Sequence, residues 1–323
     1  MKLHKLFPKI KPYRHGYIPV SDGHKLYYEL CGNPKGKPVL YVHGGPGAGC
    51  DENSRRFFNP KVWNIILFDQ RGANRSKPFG STRANTTWKL VADIRQLLRF
   101  LKIGKVFLFG GSWGSTLSLV YTIKYPETVT GILLRGIFLG RREDIMYTYG
   151  GGAQDYFPDK WERFVRIVPK SKRSNIIGYY AMQMQSKNGK IRAKFAFEFA
   201  YYELSLLKLS MPHKDVMKIM RKASSHPGHR SMAIIESHYM TNDCFLPKNY
   251  ILNNIARISG RKIPVSIVQG RYDALCPPMQ AWLLHKAIPK SKLFFVTGGH
   301  GSSEETVQGK LVEEMKSFSK LIK

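Results

Sequence analysis

Hydrophobic positions in this chain alternate between two spacings, and the alternation itself outlines the fold. Short runs rich in β-branched and aromatic residues, bounded by turn formers, read as strands. His15–Val20 and His24–Leu30 form such a pair, joined at Asp22-Gly23, a strong hairpin signal. Further strands are predicted at Val39–His43, Trp63–Asp69, Val106–Phe109 and Val129–Arg135. Between them, Val91, Ile94, Leu97, Leu98 and Leu101 recur at helical spacing over Leu90–Leu101, and Ser115–Lys124 suits a second helix. Strands and helices alternating at this pitch imply an α/β fold, a mostly parallel sheet covered on both faces. From about Arg141 the pattern changes. Until about residue 245 the chain is aromatic-rich and helical in character, with Arg192–Leu209 and Asp215–Ser224 reading as amphipathic helices. Alternation resumes at Ile263, with strands at Pro264–Gly270 and Leu293–Thr297. The expected organisation is a core, 1–140 and 246–323, interrupted by a helical cap, 141–245, that lies over the strand ends, excludes water and shapes a pocket. No internal repeat or low-complexity segment is present.

The candidate chemistry sits at the junctions of these elements. Gly110-Gly-Ser112-Trp-Gly114 joins a predicted strand to a predicted helix, the order of a nucleophile elbow in α/β-hydrolases. A serine in so sharp a turn needs neighbours without Cβ atoms. The helix N-terminus then offers its dipole and N–H groups to an oxyanion formed at Ser112. A triad on this fold runs nucleophile, acid, base along the chain. Asp273 follows the strand ending at Gly270, and His300 follows the one ending at Thr297, so both stand where open α/β sheets place their catalysts. Taken singly, the serine could mark a glycine-rich turn, the aspartate a helix cap and the histidine a surface position. Their order and common placement favour a Ser112-Asp273-His300 triad. His43-Gly-Gly-Pro-Gly47, after the strand ending at Val42, is a loop of the kind that completes an oxyanion hole, which makes the Gly45 and Trp113 N–H groups the candidate donors.

Composition narrows the setting. The chain has 323 residues, 43% of them hydrophobic, enough for one large domain with an insertion. No stretch of eighteen apolar residues occurs, so no transmembrane helix is expected. The basic start Met1–Lys9 lacks an apolar core and does not read as a signal peptide. The four cysteines, without C-x-x-C spacing, suit free thiols and a cytoplasmic location. A formal charge of +30 invites a nucleic-acid reading. The lysines and arginines are spread along the chain without a basic tail, however, which fits non-specific adsorption to polyanions at low salt better than specific recognition.

Together, His43-Gly-Gly-Pro-Gly47, Asp69-Gln-Arg-Gly72, Asn85-Thr-Thr-Trp88, Gly110-Gly-Ser-Trp-Gly-Ser-Thr116, Leu134-Arg-Gly-Ile-Phe138 and Gly270-Arg-Tyr-Asp273 resemble the proline iminopeptidases of the α/β-hydrolase superfamily, over almost the whole span from His43 to His300. The resemblance implies release of an N-terminal proline from peptides by the triad Ser112, Asp273 and His300, with neither metal nor organic cofactor. It also implies that two cap glutamates, Glu203 and Glu236, hold the free imino group of the substrate. Phe138 and Tyr149 would supply aromatic walls, with Arg135 beside them. The chain departs from the family pattern at Phe199 and Tyr202, where tryptophans are usual, at Tyr147-Thr-Tyr149, and at Gly301-Ser-Ser.

Two other functions are compatible with the residues alone. The same triad serves a broader esterase, amidase or lactonase, which only the cap would distinguish. A non-catalytic polyanion-binding protein on a hydrolase fold is the second. Cys276, three residues after Asp273, is a candidate thiol near the site.

Overall fold

The hairpin read at Asp22-Gly23 opens an eight-stranded sheet. A computed structural model of the chain describes residues 4–224 and 228–321. The first residues of the basic start, 1–3, lie outside them. Strands β1 (Arg14–Pro19) and β2 (Lys25–Gly32) pair antiparallel across a turn in which Asp22 and Gly23 take φ of 62° and 79°. Strands β3 (Lys37–Val42), β4 (Trp63–Phe68), β5 (Val106–Ser112), β6 (Val129–Ile137), β7 (Val265–Gly270) and β8 (Lys292–Val296) complete it. The order is β1-β2-β4-β3-β5-β6-β7-β8, antiparallel at β1–β2 and β2–β4 and parallel from β4 to β8.

That order fixes where a site can form. From β3 the chain runs outward to β4, then returns to place β5 on the other side of β3. The reversal leaves a crevice at the C-terminal ends of β3 and β5, the position at which open parallel sheets bind their ligands. The loop beginning at His43 leaves one of these strands, and Ser112 ends the other.

Helices α1 (Thr87–Phe100) and α2 (Trp113–Lys124) pack on the sheet, and α2 is buried from Trp113 to Ile123, so it runs through the core. Between β6 and β7 the described residues form six helices of eight residues or more: α3 (Arg142–Tyr149), α4 (Pro158–Arg166), α5 (Ile176–Met184), α6 (Gly189–Ser205), α7 (His213–Ser224) and α8 (Gly228–Thr241). Their interior is aromatic. Phe164 stacks between Tyr180 and Tyr202, at 4.4 and 4.3 Å between ring centroids. Two short helices, α9 (Tyr250–Asn253) and α10 (Ala256–Ser259), lead back to the sheet, followed by α11 (Pro278–Ala287) after β7 and α12 (Glu305–Leu321) after β8. Helix α12 covers the opposite face with Val307, Leu311, Val312, Met315 and Phe318.

The Asp69-Gln-Arg-Gly72 segment is pinned by buried charge. The Arg71 side chain is fully buried and holds Asp93 with two nitrogens, at 2.6 and 2.8 Å, while Arg75 spans Asp69 and Glu29. Bidentate pairing of this kind satisfies groups that would otherwise be costly to desolvate. All four cysteines are buried and free. Among the described residues, no helix is long and apolar enough to cross a membrane.

Candidate active site

Ser112 occupies the turn between β5 and α2 with φ 58° and ψ −131°, a conformation unusual for any residue with a Cβ. Its glycine neighbours make the turn possible. A Cβ on Gly114 would fall 2.0 Å from the Val42 carbonyl oxygen, and one on Gly110 would fall 2.3 Å from that of Gly114. The elbow therefore packs directly on β3. Trp113, the first residue of α2, carries one of the N–H groups for which a helix has no internal acceptor.

The neighbouring loop is held by a set of contacts that motif reading did not reveal. Gln70 donates its backbone N–H to His43 Nε2 at 2.9 Å and its side-chain amide to the His43 carbonyl at 2.9 Å. Its side-chain oxygen accepts the Trp113 indole N–H at 3.0 Å. One side chain thus ties the His43–Gly49 loop to the elbow. His43 Nδ1 stands 2.8 Å from the Gly44 carbonyl and 3.2 Å from the Gly49 N–H. Burial lowers the basicity of this imidazole and keeps it neutral. Gly45, at φ 104°, lines the same cavity as Ser112.

Asp273 and His300 meet at the ends of β7 and β8, with His300 Nδ1 2.8 Å from Asp273 Oδ2. Both are buried. The Asp273 carboxylate accepts three further hydrogen bonds, from the Leu275 and Cys276 N–H groups at 3.0 and 2.7 Å and from the Gln269 amide at 3.1 Å. Gln269 is fully buried on β7, and a polar residue inside a buried parallel strand was its only sequence signal. At Gly136, with φ 54°, a Cβ would lie 2.9 Å from the His300 ring.

Glu203 on α6, Glu236 on α8 and Tyr149 at the end of α3 converge above Ser112 and line one cavity with it, together with Phe138 and Gly45. The Tyr149 hydroxyl donates to Glu203 Oε1 and stands 3.0 Å from Glu236 Oε1. Glu236 Oε2 is buried without a partner. Burial pushes Glu203 up to about 7, and raises Glu236 well above the carboxylate range, helped by the charge of Glu203. Phe199, where the family favours tryptophan, stacks on Tyr149 at 5.5 Å, and Tyr202 donates to the Thr148 carbonyl at 2.9 Å.

Arg135 stands apart from this group. It is not among the residues lining the cavity, and its guanidinium packs over Gly111 and donates to the His300 carbonyl at 2.8 Å. Its donors face the loop that bears His300. Cys276 does line the cavity, and burial raises its thiol well above the ordinary range, which keeps it protonated.

The family model described as alpha/beta hydrolase fold matches residues 37–306. A proline iminopeptidase of Arabidopsis thaliana is 42% identical over 319 residues, which is 97% of this chain and 82% of that protein. One from Xylella fastidiosa (strain 9a5c) is 42% identical over 303 residues, covering 93% and 94% of the two chains. Among solved structures, an esterase from Exiguobacterium antarcticum superposes with a TM-score of 0.64 at 17% identity, covering 94% of this chain and 98% of that one; the likeness extends to the fold alone. Identity at this level over nearly the whole length, on an elbow and sheet of this topology, means that the chain belongs to the proline iminopeptidase family within the α/β-hydrolase fold.

Proposed function

We infer that the protein is a serine exopeptidase that releases an N-terminal proline from peptides. Ser112 is the nucleophile, His300 the general base, and Asp273 the residue that holds the imidazole with its hydrogen on Nδ1. His300 takes the Ser112 proton as Oγ attacks the prolyl carbonyl. The N–H groups of Gly45 and Trp113 receive the charge that develops on the carbonyl oxygen. His300 then protonates the departing amine, and water hydrolyses the prolyl-enzyme through the same groups. In this division of labour residues 141–245 act as the cap, and 1–140 with 246–323 as the core. Four buried thiols support a cytoplasmic setting. The dispersed positive charge supports neither a specific nucleic-acid partner nor a membrane.

The observation that carries the peptide reading is the acid pair facing Ser112. Tyr149 has one hydroxyl hydrogen, which goes to Glu203. Its contact with Glu236 Oε1 therefore needs a second hydrogen, carried by Glu236. The resting cluster then holds a single negative charge, matched to one cationic chain start, and the unpartnered Glu236 oxygen remains to accept from it. A general esterase has no use for such a group. The decisive experiment is a panel of aminoacyl arylamides, each with and without N-acetylation. Prolyl arylamide should be hydrolysed fastest, acetylation should abolish turnover, and Ser112→Ala should remove it altogether. Equal rates on blocked and free substrates would refute exopeptidase recognition, and substantial activity in Ser112→Ala would refute the nucleophile.

A further inference from the structure

The loop that bears His300 is gripped by the cap. Three peptide groups around His300 are each held from outside the loop or by a residue beyond it. The Gly299 N–H donates to Glu304 Oε1 at 2.8 Å, the His300 carbonyl accepts from Arg135, and the Gly301 N–H donates to the Leu207 carbonyl at 2.6 Å. The same Glu304 Oε1 accepts the Leu209 N–H at 3.2 Å. One carboxylate oxygen thus joins the base loop to the segment Leu207–Leu209. The packing is close on both sides of the histidine. A Cβ on Gly299 would fall 2.8 Å from Glu304 Oε1 and 3.3 Å from the Leu209 nitrogen, and one on Gly301 would fall 3.2 Å from the Leu207 oxygen. Glycines at these two positions let the cap segment approach the loop.

The gripping segment is also the exit of α6. Glu203 stands in the last turn of that helix, where its carbonyl accepts the Leu206 N–H at 3.2 Å, and Leu207 follows directly. Three residues therefore separate the residue whose carboxylate is assigned to the substrate amine from the one whose carbonyl holds the base loop. Side chains that act in catalysis must be fixed to within a fraction of an ångström by their supporting contacts, since small displacements of a base cost large factors in rate.

We propose that Glu304 is a positioning residue for the catalytic base, a clasp whose one oxygen holds the His300 loop and the α6 exit in a fixed relation. The proposal rests on the assignment of His300 as the base, and not on the identity of the substrate. Glu304 touches no reacting atom. Its action requires an acceptor at a set distance and not a negative charge, so glutamine should replace it and aspartate, one methylene shorter, should not.

The test compares Glu304→Gln, Glu304→Asp and Glu304→Ala in the whole chain, well below the melting temperature of each. Two quantities are read: kcat and KM on prolyl arylamide, and the rate of covalent labelling by a fluorophosphonate, which reports serine activation without amine recognition. Glu304→Ala and Glu304→Asp should lower both kcat and the labelling rate by about 10- to 100-fold with KM within about threefold of the parent, while Glu304→Gln stays within about threefold in all three. Labelling of Glu304→Ala at the parent rate would overturn the clasp. So would a glutamine variant as impaired as alanine, since charge would then be the requirement. Should the alanine variant fail to fold, the contrast between glutamine and aspartate decides alone. A parent enzyme that labels but spares prolyl arylamide would refute the substrate reading and leave the clasp testable by labelling. A parent that does not label would remove the base and the clasp together.

Discussion

The hydroxyl of Tyr149 shows how far one atom can set the chemistry of a pocket. Its hydrogen bond to Glu203 favours the ionised carboxylate, against a desolvation that drives Glu203 up to about 7 from an ordinary 4.5. Below about 7 the pair becomes neutral and loses its attraction for a cation. Above about 8 a chain-start amine loses its own charge. KM for prolyl arylamide should therefore pass through a minimum near neutrality, rising about tenfold for each pH unit on the acid side. Tyr149→Phe removes a contribution that lowers Glu203, so the acid limb should move to higher pH; an unmoved limb would exclude the hydroxyl from the site. Glu203→Gln should cut kcat/KM for the arylamide by roughly 100-fold while leaving a simple acetate ester within about threefold, because only the former substrate leaves a buried charge unpaired; Glu236→Gln, which exchanges a protonated carboxyl for a neutral amide, should cost the arylamide less. Stability has the opposite sense. Between 4.5 and about 7 the folded state holds more protons at Glu203 than the unfolded chain, so stability falls as pH rises through that window. Glu203→Gln should flatten this fall, and parallel melting curves across pH would contradict the raised carboxyl.

At the scale of elements, the site is a meeting of strand ends, and the glycines there record the closeness of the meeting. Gly136 closes β6 at φ 54°, with the His300 ring and the Asp273 carboxylate over its Cα. Gly136→Ala should reduce kcat by roughly 100-fold through displacement of the His–Asp pair, with a smaller change in KM. Wild-type kcat in that variant would mean that the pair tolerates movement. Much of this geometry was legible beforehand. The elbow, the ends of β7 and β8 and the hairpin at Asp22-Gly23 each combine an apolar run with a turn former, a signal carried within a few adjacent residues. The start of α2 at Trp113 and the pairing of β2 with β4 were not drawn from the pattern, the second because pairing partners outside a hairpin are set by contacts distant in sequence. Helix α12 could have been read from Val307, Leu311, Met315 and Phe318, which follow helical spacing. Gln70 and Glu304 were invisible for a different reason, since each bonds to backbone groups remote in the chain that the local pattern of polar and apolar residues does not mark. Gln269 stood out as a polar position in a buried strand, but its partners, the Asp273 carboxylate and the Ile137 N–H, did not. The contact of the Arg135 guanidinium with the His300 carbonyl was beyond the local pattern on the same account.

The whole molecule sets a basic exterior against an acidic pocket. Fifty-two lysines and arginines face 22 acidic residues, and two of those acids are buried together above Ser112. A short peptide is itself a dipole, with a positive chain start and a negative chain end. On the proposed assignment, the local field of the acid pair draws in the amine, and the net field of the surface favours the end that carries the carboxylate. Both terms orient the peptide with proline inward, and the long-range one is screened within about 10 Å at 0.1 M salt while the buried pair is screened far less. The two can be separated by chemistry at the far end of the substrate. At about 10 mM ionic strength a tripeptide Pro-Gly-Gly with a free carboxylate should show a several-fold higher kcat/KM than its C-terminal amide, and the ratio should approach one at about 0.5 M. The amide itself should depend only weakly on salt if its remaining charge is read, as proposed, by Glu203 and Glu236 at close range. A ratio that stays constant from low to high salt would mean that the surface charge plays no part in substrate capture, leaving selection to the pocket alone.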